Sequence, residues 1–151
     1  MNDLEELQEL CRCAFASTYG FMLIAACYHW NVEDPNFLMY HDLFGKVYKE
    51  VDGKIDIFAE QIRGIQAKAP ATFTELRDLS SIVNEPSDEI HTPDEMIKYL
   101  YLANGKLNTD LISAYTAAER LQEHGMANFL SERMDQHRKH GWMLYASMKG
   151  V

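Results

Sequence analysis

The chain has 151 residues, 47% of them hydrophobic and 25% charged, with a formal net charge of −9, enough for one domain with a buried core (1–151) and too few for two. Its longest apolar run, Phe21 to Cys27, is too short to cross a bilayer. The acidic opening Met1-Asn2-Asp3-Leu4-Glu5-Glu6 lacks the basic-then-apolar order of a secretory signal, so a cytoplasmic protein with no membrane partner is expected.

From Asp3 to about Val32 no proline intervenes, and Leu7, Leu10, Ala14, Phe15, Thr18, Met22 and Ala25 recur at helical spacing, which predicts a long first helix. Asp34-Pro35-Asn36 ends it, because proline disfavours helical geometry in the residue before it. A second helix then carries Phe37, Tyr40, Phe44, Val47, Tyr48, Val51, Ile55, Phe58 and Ile62 at steps of mostly three or four, running to about Lys68. Phe73, Leu76, Leu79 and Ile82 mark a short helix within the next connection, followed by a loop containing Pro86. Thr92-Pro93-Asp94-Glu95 is a strong start for a third long helix, with Thr92 as cap and Glu95 three residues on; it should stop near Gly125. A fourth helix follows from about Met126 to Met148, with Leu130, Met134, His137, Gly141 and Leu144 inward, and no segment alternates at period two. The expected fold is all-α, a four-helix bundle with an extra short helix in the crossover between the second and third long helices.

Cys11, Cys13 and Cys27 are odd in number, and no second pair completes a tetrahedral metal site, so all three are expected as buried or half-buried free thiols. The candidate ligands are His29, His41, Asp56 and Glu60, whose imidazole nitrogens and carboxylate oxygens suit iron. His29 and His41 flank the Asp34-Pro35 break, so two antiparallel helices can bring the imidazoles together. Asp56 and Glu60, four apart, share a helix face, and neighbouring Ile55, Phe58 and Ala59 imply that this face is partly buried. The two pairs cannot meet in one chain: fifteen helical residues separate His41 from Asp56, roughly 22 Å at the usual rise. A two-fold axis pairing second helices antiparallel would set each histidine pair beside a partner's carboxylates. His124, His137 and His140 are expected to decorate the surface.

Tyr28-His29-Trp30-Asn31-Val32, then Phe37, Tyr40-His41, Asp56-Ile57-Phe58-Ala59-Glu60 and Gln61-Ile62-Arg63 resemble the signature of the Dps family of mini-ferritins, in order and spacing. Arg77-Asp78-Leu79-Ser80-Ser81-Ile82 is similar to that family's mid-loop helix, and Gly141-Trp142-Met143-Leu144 to the end of its last helix. The resemblance implies a ferritin-like bundle and a twelve-subunit shell. It also implies intersubunit di-iron ferroxidase centres, with His29, His41, Asp56 and Glu60 as ligands. Ferrous iron would be oxidised by hydrogen peroxide, or by dioxygen, and stored as a ferric oxyhydroxide core. By the same resemblance, Trp30 would donate electrons beside the centre, and Glu132 and Asp135 would line the channels that admit iron. Two departures stand out: Asp34 replaces a frequent glycine, and Gly45 stands where an acidic residue often assists.

The rival reading is a DNA-compacting architectural protein with a vestigial iron site. The acidic balance opposes it, since neither terminus carries the Lys/Arg cluster that neutralises phosphates. An intrasubunit di-iron oxidase would need Glu-x-x-His motifs, and the sequence has none.

Overall fold

The computed structural model describes residues 1–82 and 92–148; Pro86 lies outside them. Among the described residues there are five helices and no strand: α1 (Asp3–Asn31), α2 (Phe37–Gly64), α3 (Phe73–Leu79), α4 (Pro93–Arg120) and α5 (His124–Met148). The expected boundaries hold to within a few residues, and the start of α4 holds in detail: Thr92 Oγ1 accepts from the Glu95 backbone N–H at 3.2 Å, with Pro93 in the first turn. At the start of α1, Asn2 and Glu5 form a reciprocal capping box.

Two stops differ from expectation. α2 ends at Gly64, where Gln66 adopts φ 65° and Ala67 N–H reaches back to Ile62 O. α4 ends before Gln122 (φ 57°), with Glu123 N–H bonded to Ala118 O. Both are left-handed caps of the kind glycine usually makes. A glutamine takes the position in each, so Gly125 is not the stop and instead sits in the first turn of α5.

Cross-helix contacts set the directions. Gln8 bonds Ile65 O, and Phe15 meets Phe58 edge-on at 5.5 Å, so α2 runs antiparallel to α1. Arg120 pairs with Glu6 and Ser17 with Asp110, so α4 is antiparallel to α1 as well. Helices α2 and α4 are therefore parallel to each other, which forces a connection running the length of the bundle; α3 lies within it, packed on α1. This is the crossover topology, closed by α5 packed on α4. The core takes side chains from every long helix, among them Leu7, Phe21, Phe44, Phe58, Leu100, Leu111 and Leu130. α1 is long and apolar enough to match a membrane span by composition, but its apolar residues form the inner face of the bundle. The three cysteines are free, Cys11 buried and the others half-buried.

Candidate metal centre

Where α1 ends and α2 begins, the two imidazoles expected to meet do so. His29 and His41 stack with ring centroids 3.9 Å apart and planes 15° from parallel. Each ring is tied to the other residue's backbone: His29 Nδ1 donates to His41 O at 2.7 Å, and His41 Nδ1 donates to His29 O at 2.6 Å. A carbonyl oxygen only accepts, so both Nδ1 atoms carry the proton, and in neutral rings both Nε2 atoms keep lone pairs. Neither Nε2 has a hydrogen-bond partner among the described residues. His29 O lies in the last turn of α1, where carbonyls lack intrahelical donors, so His41 also caps that helix. Phe37 stacks on the outer side of His41 at 4.9 Å.

Asp56 and Glu60 project from the other half of α2. Both are exposed in the single chain, which corrects the expectation of partial burial, and neither has a partner among the described residues. Since α2 is one unbroken helix through both positions, about 22 Å of rise separates the carboxylates from the histidines. Accordingly no group of three or more His, Cys, Asp or Glu able to hold a metal forms among the described residues of one chain. The structure thus brings together His29 with His41, and leaves Asp56 and Glu60 apart from them.

The ferritin-like domain family matches residues 5–149. The chain belongs to the ferritin-like family, in its Dps branch. A DNA protection during starvation protein of Brevibacillus brevis is 30% identical over 122 residues, 81% of this chain and 80% of that one. A solved Dps structure from Bacillus brevis superposes with a TM-score of 0.90 at 25% identity, covering 99% of this chain and 100% of the other. A Vibrio cholerae O1 Dps protein, described as a member of a broad superfamily of ferritin-like diiron-carboxylate proteins, shares the fold: its TM-score is 0.90 at 23% identity, with 97% of this chain and 91% of that one covered.

The remaining positions singled out in this Dps-family chain fall as follows. Trp30 is 63% exposed and meets Tyr48 edge-on at 5.8 Å; Tyr48 in turn lies 5.9 Å from His29. Tyr48 was not legible as a neighbour of the centre, although it lies seven residues beyond His41, two turns along α2. Glu132 and Asp135 are exposed on α5 but locally paired, Glu132 with Lys54 and Arg133 at 3.8 and 3.7 Å, Asp135 with Arg138 at 2.8 Å. Gly45, one turn beyond His41, is buried, and a Cβ built on it would stand 2.7 Å from His29 Cε1 and 2.8 Å from His29 Nδ1.

A second histidine pair corrects the surface placement expected for these imidazoles, while the inward position that helical spacing gives His137 holds. His137 and His140 are each 1% exposed, not surface residues. His137 Nδ1 donates to Asn104 Oδ1 at 2.8 Å, and Asn104 Nδ2 donates back to His137 O. His140 Nε2 donates to Glu50 Oε1 at 2.8 Å, and Arg133, also 1% exposed, grips Glu50 with two bonds of 2.7 and 2.8 Å. Burial pushes the Glu50 carboxyl up, but hydrogen bonds and charge from Arg133 and His140 outweigh it and bring the pKa down to about 2. Burial and the neighbouring charges of Arg133 and His140 hold His137 well below the usual imidazole range. Of this cluster only His140 Nδ1 lacks a partner.

Proposed function

We propose that the chain is a ferroxidase and iron store: it oxidises ferrous iron at di-iron centres shared between two subunits and deposits ferric oxyhydroxide inside a twelve-subunit shell in the cytoplasm. Each centre takes His29 and His41 from one protomer and Asp56 and Glu60 from another, across a two-fold axis that sets α2 helices antiparallel. The observation that carries this is the histidine pair, whose two Nδ1–H bonds to backbone carbonyls leave both Nε2 atoms as ligands. Supporting it, Trp30, Leu38 and Met39 around the pair are 63%, 71% and 59% exposed, apolar surface of the sort a partner covers.

In this reading two ferrous ions each give one electron to hydrogen peroxide, the preferred oxidant, and its O–O bond breaks without releasing hydroxyl radical. Dioxygen serves more slowly. Water supplies the oxide and hydroxide of the mineral, and protons leave to solvent. The imidazoles and carboxylates orient the ions, and two carboxylates offset part of their charge. Trp30 supplies an electron when only one iron is present, and Glu132 and Asp135 draw iron toward the cavity.

Ferrous iron and peroxide added to the purified protein should yield a soluble ferric core, and light scattering should give twelve times the chain mass of 17.4 kDa. The double substitution His41→Ala/Asp56→Ala should abolish fast oxidation; a variant oxidising at the parent rate sinks the proposal. A DNA-compacting role is the second reading, favoured by the name of the Brevibacillus relative and opposed by the net charge of −9. A gel shift at low salt decides between them, retarded DNA favouring the second.

A further inference from the structure

We propose that Gly45 is the positioning residue of the histidine half-site: the missing side chain is the seat on which the His29 ring lies, fixing it as the Nδ1–H tautomer with Nε2 free for a divalent cation. The cation-binding part rests on the ferroxidase reading; the tautomer part does not.

The geometry of α2 explains the seat. The His41 carbonyl points along the helix toward residue 45, and Cα–Cβ bonds tilt back toward the helix N-terminus, so any Cβ at 45 would project beside that carbonyl. The ring of His29 occupies this space while its Nδ1 donates to His41 O at 2.7 Å. The three nearest atoms that a Cβ on Gly45 would meet all belong to that ring, the first two at 2.7 and 2.8 Å. The ring cannot retreat, because His41 is stacked on it at 3.9 Å and holds the His29 carbonyl. Among the described glycines no other has a contact under 3.0 Å, and Gly53, on the same helix, has nothing within 4 Å. A glycine inside a helix lowers its propensity, and at 45 the return is a pre-set ligand.

The test compares the wild-type chain with Gly45→Ala and Gly53→Ala, all assembled and metal-free, by solid-state ¹⁵N NMR of labelled histidine at alkaline pH. The wild type should show His29 and His41 with Nδ1 protonated and Nε2 bare; a His29 carrying its proton on Nε2 overturns the proposal. Gly45→Ala should shift the His29 nitrogens and weaken Zn(II) binding, a redox-inert probe, by at least about tenfold. Gly53→Ala should leave both unchanged. Both alanines raise helix propensity, so a general effect on α2 would move the two variants together, and that result, or unchanged spectra in Gly45→Ala, overturns the seat. If Gly45→Ala does not fold, His29→Ala/Gly45→Ala locates the collision: recovery of folding supports the seat, and failure overturns it. Should the chain prove inactive toward iron, the metal-free spectra still decide the tautomer.

Discussion

The chain holds two histidine pairs with opposite hydrogen-bond patterns. At the α1–α2 turn, His29 and His41 use only Nδ1, each on a backbone carbonyl, and keep Nε2 unpartnered. In the bundle centre, His137 and His140 point polar atoms at side chains: Asn104 on α4, Glu50 on α2, and Arg133 on their own helix. Backbone carbonyls are rigid, neutral acceptors that cost the site no charge. Glu50 and Arg133 form a charged pair whose attraction is used up internally. The first arrangement leaves two Nε2 lone pairs open, and the second closes the bundle around a network in which only His140 Nδ1 has no partner.

The sharpest way to break this comparison is to remove one member of each pair. His41→Ala should lower the rate of ferrous oxidation by more than about 100-fold with a near-normal melting temperature. His140→Leu should do the reverse, so a large rate loss in His140→Leu would show that the central pair serves the chemistry. Next in size, Arg133→Met leaves the Glu50 carboxylate with His140 alone, and denaturant unfolding should show a loss of about 3–5 kcal/mol, read at fixed protein concentration because assembly would add to it.

Acid should separate the pairs further. His137 is held well below the ordinary imidazole value of 6.5. Above that value neither the folded nor the unfolded chain protonates it, and its contribution to stability is complete. Below it the unfolded chain takes the proton first, so stability should fall by about 1.4 kcal/mol per pH unit until the folded group titrates. Glu50, lowered from 4.5 to about 2, adds a second loss as pH drops through that interval. Unfolding curves at a series of pH values should show this slope in the parent and a shallower one between 6.5 and 4.5 in His137→Gln; equal slopes would remove His137 as the cause. The smallest effect is Asn104→Ala, which leaves the buried His137 Nδ1–H without its acceptor and should cost about 1–3 kcal/mol, with oxidation rate per folded chain unchanged.

Much of the bundle was legible because its signals are local. The period of apolar residues, Asp34-Pro35, and Thr92-Pro93 with Glu95 act within a turn or two of themselves, so they predict α1 to α5 without reference to partners. The stops of α2 and α4 were misplaced because Gln66 and Gln122 adopt a backbone conformation that their side chains do not advertise. The meeting of His29 with His41 was also readable, since only a short break lies between them.

By itself the sequence determined four long helices, the break that turns α1 into α2, and a helical rise that keeps Asp56 and Glu60 from His41 within one chain. Only the tertiary structure decided which histidine nitrogens are bonded and to what. That depends on how each helix is rotated against its neighbours, through bonds linking residues 12 apart at the turn and 33, 83 and 90 apart in the core. Periodicity says which face of a helix is apolar, but not which polar atom lies opposite. For the same reason His140 looked like a surface residue, and Gly45 like a simple absence, until the partner helix was in place.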